Sequence, residues 1–108
     1  MIMFPVTERE FDELMGDSKS PVVLVFFHAP WCVSCKSMEP IIKELATVYY
    51  PNLLSVLSVD ADASPSLAVR YNVSSLPYFL LFKDDKLVDQ RAGVMTKREL
   101  EKLLEELL

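Results

Sequence analysis

Cys32 and Cys35 stand two residues apart and are the only cysteines in the chain. They follow the only tryptophan, Trp31, and come shortly after the apolar run at residues 22–27. Two cysteines cannot form a disulfide framework, so this close spacing indicates redox chemistry or metal binding. Side chains three positions apart lie on one face of a helix, where the two sulfurs could bond with little backbone movement. The motif therefore predicts thiol–disulfide exchange.

A helical pattern begins inside this motif and continues to about residue 49. The free amide groups and partial positive charge at a helix N-terminus stabilise a thiolate. The thiolate, not the thiol, attacks disulfides. We predict Cys32 as the nucleophile, because it comes first and should be less covered by the helix. We predict Cys35, one turn later, as the resolving cysteine.

Two other interpretations of the cysteines are weaker. Zinc prefers four ligands, and one chain supplies only the two cysteines and His28, unless two chains share the site. Buried, inert thiols conflict with the spacing and with a neighbouring tryptophan, which suggest exposure. We therefore expect no metal and no bound cofactor beyond a Cys32–Cys35 disulfide. We expect His28 to have a packing role, with tuning of the cysteines by its charge as the alternative.

Composition limits the class of protein. A length of 108 residues with 51% hydrophobic content predicts a single domain spanning residues 1–108. The net charge of −5 argues against a nucleic-acid partner. The longest apolar run is six residues, far below the roughly 18 that suggest a membrane span. The N-terminus lacks the basic flank of a signal peptide, so we expect a cytoplasmic location. Separately, we expect the chain to be a monomer.

Periodicity and turn signals predict a β-α-β-α-β-α-β-β-α order, an α/β fold with a mixed sheet of four to five strands and helices on both faces. Capping boxes mark two helix starts, at Thr7 and Thr96. Gly16 should end the first helix, and Ser64 should cap the third. The predicted strands lie near residues 2–5, 22–27, 53–59, 78–82 and 87–92, and the predicted helices near 8–15, 33–49, 65–71 and from 97 onward.

The chain resembles the thioredoxin family over nearly its whole length. The resemblance rests on the segment at 27–32 that ends in Trp-Cys, on Pro40 inside the following helix, on the loop at 73–78, and on Gly93-Val94. It implies the thioredoxin fold and a protein thiol–disulfide oxidoreductase that reduces substrate disulfides through a mixed disulfide. It also implies disulfide-containing client proteins, a separate reductase as electron donor, and roles in electron transport and cell redox homeostasis.

The resemblance also implies a docking surface for substrates. The peptide bond before Pro77 should be cis, and the backbone of Leu76 should pair with an extended substrate strand. The implied apolar surface, here called the docking surface, consists of Trp31, Val33, Leu76, Pro77, Gly93 and Val94.

Three positions depart from the family pattern. Val33-Ser34 replaces the usual Gly-Pro between the cysteines, Phe26 replaces a buried aspartate, and Val56 replaces its partner lysine. A missing anion near the sulfurs and a hydroxyl at Ser34 should both stabilise the Cys32 thiolate and make the protein more oxidising. Lys36 should add modestly to the local potential. An oxidase or isomerase of the same fold, or a binding module with secondary redox activity, are the alternatives.

Overall fold

The most apolar segments of the chain form the centre of a mixed five-stranded sheet. The computed structural model describes residues 3–17, 20–49 and 52–108. Predicted features at Ile2, residues 18–19 and Pro51 lie outside the described residues. The elements, in chain order, are β1 (Met3–Pro5), α1 (Glu8–Asp17), β2 (Val22–His28), α2 (Val33–Tyr49), β3 (Leu54–Asp60), α3 (Pro65–Arg70), β4 (Tyr78–Lys83), β5 (Lys86–Ala92) and α4 (Lys97–Leu107).

The sheet has the strand order β1-β3-β2-β4-β5. Strands β1, β3 and β2 are parallel to one another, and β4 and β5 are antiparallel to their neighbours. Residues 22–27 of β2 are all buried, because this strand has a neighbour on each side and helices on each face. The carboxyl ends of β1, β3 and β2 therefore lie at the same edge of the sheet, and the cysteine motif follows β2 there.

Alternate residues of β2 supply two separate hydrophobic cores. Leu24 and Phe26 pack in one core with both cysteines and with buried residues of α2 and α4. Val25 and Phe27 pack in the other with Phe11 of α1 and Leu67 of α3. This arrangement confirms the predicted α/β fold with helices on both faces of the sheet.

Both predicted capping boxes are present. The Glu10 amide donates to the Thr7 hydroxyl, and the Glu10 carboxylate accepts from the Thr7 amide. The same reciprocal pair joins Thr96 and Glu99 at the start of α4. These side chains satisfy amide groups that the first helical turn leaves without intrahelical partners.

One predicted helix end and one predicted capping hydrogen bond are wrong. The helix α1 continues through Gly16 to Asp17, and Gly16 does not have the positive φ of a helix-ending glycine. Ser64 stands at the N-cap position of α3, but its side chain makes no capping hydrogen bond. The Ser66 amide in the first turn of α3 instead donates to Glu8 Oε1 of α1 at 2.8 Å. A carboxylate from another helix has taken part of the predicted capping role.

The strand β5 is an edge strand, as its sequence indicates. The alternation of apolar and polar residues along it does not mark a buried face. Only Asp89 is partly buried, and the other β5 residues are exposed. The hairpin before it turns through Asp84 and Asp85, whose φ angles of 48° and 67° are those of a tight two-residue turn.

Candidate active site around Cys32 and Cys35

The two cysteines form a disulfide at the beginning of α2. Their Cα atoms are 5.3 Å apart. Cys32 immediately precedes the helix, and its sulfur accepts a hydrogen bond from the Cys35 amide at 3.2 Å. The Lys36 amide donates to the Cys32 carbonyl at 3.4 Å. Cys32 thus occupies the N-cap position, with its sulfur where a serine or aspartate oxygen would accept a first-turn amide.

Both sulfur-bearing residues are more buried than the sequence indicates. Cys32 is 4% exposed and Cys35 is 1% exposed. The prediction that neighbouring residues would leave the pair exposed is therefore wrong, because both cysteines pack into the core shared by α2 and the sheet. Of the two, Cys32 is the slightly more accessible.

Ser34 lies close enough to the first sulfur to influence it. Its hydroxyl is 3.5 Å from Cys32 Sγ, and the hydroxyl is the donor, because a disulfide sulfur carries no proton. The Ser34 carbonyl accepts a hydrogen bond from the Ser37 hydroxyl at 2.7 Å. A thiolate on Cys32 would accept from both the Ser34 hydroxyl and the Cys35 amide, whereas proline at position 34 would offer no hydroxyl.

The wall behind the cysteines is aromatic. Phe26 is fully buried, and its ring stacks on Phe79 at 5.5 Å and on His28 at 5.3 Å between centroids. Val56, on the neighbouring strand, is also fully buried. Among the described residues, the buried polar side chains are three serines, and no carboxylate is buried. With phenylalanine at position 26, the interior next to the cysteines therefore holds no anion among the described residues.

The docking surface predicted from the resemblance is partly exposed and partly buried. Trp31, Val33 and Val94 expose 66%, 79% and 57% of their surfaces. Leu76 and Gly93 are partly buried. Pro77 is buried, so it supports the surface from beneath rather than lining it openly. Its neighbours cover it because it precedes a central strand of the sheet.

The structure joins the two loops that carry these residues. The peptide bond between Leu76 and Pro77 is cis, and the Gly93 amide donates to the Pro77 carbonyl at 2.9 Å. Gly93 has a φ of +93°, a conformation that favours glycine. Leu76 packs against the core that contains both cysteines. In the described part of the chain, the Leu76 backbone makes no hydrogen bond to another backbone group.

Comparison with known proteins agrees with this architecture. The thioredoxin family model matches residues 2–106. A thioredoxin of Staphylococcus aureus is 37% identical over 105 residues, which are 97% of this chain and 97% of that protein. Thioredoxin Y2, a chloroplastic protein of Arabidopsis thaliana, is 38% identical over 92% of this chain, which spans 58% of that relative's length. The chain belongs to the thioredoxin family.

A solved structure supports the same assignment at the level of the fold. A single-site mutant of a thioredoxin from Halobacterium salinarum matches with a TM-score of 0.85 and 30% identity, covering 97% of this chain and 89% of that one. Family membership and the paired cysteines together identify this thioredoxin-family chain as a thiol–disulfide oxidoreductase.

One contact in this thioredoxin site was not predicted from the sequence. The Trp31 indole N–H donates to Asp62 Oδ2 at 2.8 Å. Asp60 holds the turn that presents Asp62, because Asp60 Oδ1 accepts from the Asp62 and Ala63 amides at 2.9 and 3.1 Å. A sequence signal did exist, since an acidic segment after β3 must lie beside the segment that follows the adjacent parallel strand β2.

His28 and Lys36 differ in their surroundings. His28 Nε2 lies 2.7 Å from Ser58 Oγ, and one face of its ring is stacked on Phe26. It therefore packs against the active-site core while keeping a polar contact. Lys36 is exposed on α2.

The described residues can also be compared with what a metal site and a membrane-spanning helix require. Within the described ranges, no three His, Cys, Asp or Glu residues are grouped as metal ligands would be. None of the described helices is long and apolar enough to cross a membrane.

Proposed function

We propose that Cys32 is the nucleophile and Cys35 the resolving cysteine of a protein-disulfide reductase. The observation that carries the proposal is the Cys32 sulfur at the helix N-cap, where it accepts the Cys35 amide. Reduction of the disulfide turns this sulfur into a thiolate that the same amide and the helix dipole stabilise. Cys35, which is more buried, is held one turn behind it.

The reaction consists of two exchanges. The Cys32 thiolate attacks one sulfur of a substrate disulfide, forms a mixed disulfide and releases the other substrate sulfur as a thiolate, which takes up a proton. Cys35 then loses its proton and attacks Cys32 Sγ, so the Cys32–Cys35 disulfide forms and the second substrate sulfur leaves. The substrate gains two electrons and two protons. A separate reductase supplies two further electrons and two protons that reduce the Cys32–Cys35 disulfide again, and no bound cofactor takes part.

The substrate chain lies on the docking surface. Trp31, Val33 and Val94 supply exposed apolar area, and the first two flank Cys32 in the chain. The free backbone groups of Leu76 pair with an extended substrate segment, since nothing within the described backbone occupies them. Gly93 and Pro77 hold the two loops together.

Three residues tune the redox couple. Ser34 donates its hydroxyl to the Cys32 thiolate, Phe26 keeps a negative charge away from the sulfurs, and exposed Lys36 adds a weak positive potential. Each effect favours the reduced form, so the protein is more oxidising than a relative with Gly-Pro and a buried aspartate. This shift toward a more oxidising protein supports an oxidase or isomerase role as the second candidate function.

The chain acts as a monomer in the cytoplasm, in electron transport and redox homeostasis. The cysteine content supports the compartment: both cysteines form the exchange pair, and none remains for a structural disulfide typical of oxidising compartments. Subcellular fractionation tests the compartment, with the chloroplast as the contrary outcome for a photosynthetic host. Sedimentation equilibrium tests the monomer.

Reduction of insulin with dithiothreitol as electron donor tests the reaction. We expect Cys32→Ser to abolish the reaction and Cys35→Ser to trap a mixed disulfide, visible as a covalent adduct by mass spectrometry. Trapping through Cys35 instead would reverse the assigned roles. A Cys32→Ser, Cys35→Ser double variant that retains full biological activity would favour a binding module.

A further inference from the structure

We propose that a cleft beside the active site binds a lysine or arginine side chain of the polypeptide that occupies the docking surface, an inference that rests on the proposed function. The cleft, here called the β3 cleft, is lined by the segment at residues 5–9 and by His28, Ser58, Asp60, Ala63 and Ser64. Its volume is about 550 Å³, within the range of about 300–1,000 Å³ typical of ligand pockets.

The position of the β3 cleft follows from the topology. It lies beyond the carboxyl ends of β1, β3 and β2, which end at Pro5, Asp60 and His28. Open α/β sheets commonly bind ligands at this edge. The turn that begins at Asp60 also holds Asp62, whose carboxylate receives the Trp31 indole. One short turn therefore connects the cleft to the docking surface.

The lining of the cleft includes hydroxyl groups of two largely buried serines, and these hydroxyls have unused bonding capacity. Ser64 is 3% exposed and lines the cleft, yet its side chain does not cap α3 and has no other hydrogen bond within the described part of the chain. The reason is that Glu8 accepts the Ser66 amide. Ser58 is 8% exposed, and its hydroxyl contacts only His28 Nε2 among the described side chains.

Asp60 adds a charged acceptor to these hydroxyls. Its Oδ1 atom is held by the Asp62 and Ala63 amides, which leaves Oδ2 without a partner in the described residues. An ammonium group has three donors and no acceptor. Asp60 Oδ2 and the Ser58 and Ser64 hydroxyls supply three acceptors on one cleft.

The apolar walls and the negative charge of the cleft fit a basic side chain better than an acidic one. Pro5, Val6 and Ala63 are apolar and suit the methylene stem of lysine or arginine. Glu8 and Asp60 contribute two negative charges to the cleft, against one positive charge from exposed Arg9. The chain as a whole carries −5. A carboxylate ligand would have to overcome this excess, with Arg9 as its single cationic partner.

Nuclear magnetic resonance titration of the ¹⁵N-labelled full chain tests the proposal. N-acetyl-lysinamide is the probe, and N-acetyl-norleucinamide, which has a similar stem without the ammonium group, is the control ligand. We expect saturable shifts of the His28, Ser58 and Ser64 amides with the lysine compound only. Equal shifts with norleucinamide, stronger binding of N-acetyl-glutamate amide, or no shifts would each overturn the proposal.

Variants identify the groups responsible. Asp60→Asn keeps the acceptor that holds the turn but removes the charge, and Ser64→Ala removes a hydroxyl that caps nothing. Each should raise the dissociation constant of the lysine compound roughly fivefold or more. Asp85→Asn in the distant hairpin and Thr47→Ala on α2 are matched controls, expected to bind as the unmodified chain does. Unchanged binding in both cleft variants would overturn the assignment.

Kinetics with disulfide peptides test the connection to the docking surface. One peptide sequence carries a single lysine at successive positions on either side of its cysteine, with norleucine at the same positions for comparison. At least one position should show a lower KM with lysine, and Asp60→Asn should abolish the difference. If no position discriminates while the same protein preparation reduces insulin, the cleft proposal fails and the proposed reaction stands. If insulin reduction fails as well, the proposed function fails.

Discussion

At the residue scale, the position of Cys32 links the local backbone to the chemistry. A helix leaves its first amides without intrahelical partners, and the Cys32 sulfur accepts one of them from Cys35. The same amide therefore stabilises the start of α2 and the thiolate that the reaction needs. Phe26 and Ser34 then determine how far the dithiol–disulfide equilibrium of the two cysteines favours the reduced form.

Replacing Ser34 with alanine tests how much its hydroxyl contributes to the redox equilibrium of Cys32 and Cys35. The variant loses the hydroxyl 3.5 Å from Cys32 Sγ, a long hydrogen bond that we take to contribute about 1 kcal/mol to the thiolate. We expect the equilibrium with glutathione to shift about three- to tenfold toward the disulfide, or about 15–30 mV. Ser37→Ala, which removes a nearby hydroxyl bonded to a carbonyl, is the control. A shift toward the dithiol would contradict the role of Ser34.

A pair of variants at Phe26 tests the effect of the missing anion. Phe26→Asp introduces a carboxyl group beside the cysteines, and Phe26→Asn introduces a neutral group of similar size. Both should destabilise the fold by at least about 3–5 kcal/mol, because a fully buried aromatic ring is lost and a polar group is buried in its place. Relative to the asparagine variant at pH 8, the aspartate variant should favour the disulfide, since an anion opposes the thiolate. Equal potentials in two folded variants would refute this account.

At the element scale, side chains from α1 stabilise α3, a helix of six residues. Glu8 accepts the Ser66 amide at 2.8 Å, and Asp12 pairs with Arg70 at 2.8 Å. The hydrogen bond to Asp12 is the main cause that raises the pKa of Arg70 above its ordinary value. A short helix whose N-cap serine makes no capping bond thus obtains its end contacts from residues 58 positions earlier in the chain.

Removal of the Glu8 carboxylate tests this arrangement. Glu8→Ala should lower the free energy of unfolding by about 1 kcal/mol, as the loss of a helix cap does. For a domain of this size that is about 4–8 °C in Tm, measured by circular dichroism. Glu13→Ala on the exposed side of the same helix is the control and should change little. If the two variants have equal stability, Glu8 does not cap α3.

At the scale of the whole molecule, the redox couple and the fold are parts of one thermodynamic cycle. Consider a group that stabilises the thiolate only in the folded protein. It increases the free energy of unfolding of the reduced form, and it shifts the redox equilibrium toward the dithiol by the same free energy. The two cysteines lie in the main core, so this coupling extends to global unfolding.

Urea unfolding of the reduced and oxidised forms checks the cycle. Ser34→Ala should destabilise the reduced form by about 1 kcal/mol more than the oxidised form. The difference should equal the redox shift measured against glutathione. Equal destabilisation of both forms would mean that Ser34 supports the helix and not the thiolate.

Much of the fold could be predicted because the relevant signals are local. Residues 22–27 are apolar throughout and form the buried central strand β2. The Thr96 capping box and the apolar stripe after it define α4. Two features escaped the sequence because a partner distant in the chain decides them: Glu8 rather than Ser64 accepts the Ser66 amide of α3, and Asp62 holds Trp31.

The sequence by itself determined the chemistry, because Cys32 and Cys35 are three positions apart and that spacing places both sulfurs on one turn of a helix. Only the tertiary structure decided how buried the sulfurs are, that Pro77 supports the docking surface from beneath, and that Ser58, Asp60 and Ser64 line one cleft. The physical reason is that spacing along a helix is a local property. Burial and the meeting of strand ends depend on how parallel strands far apart in the chain come together.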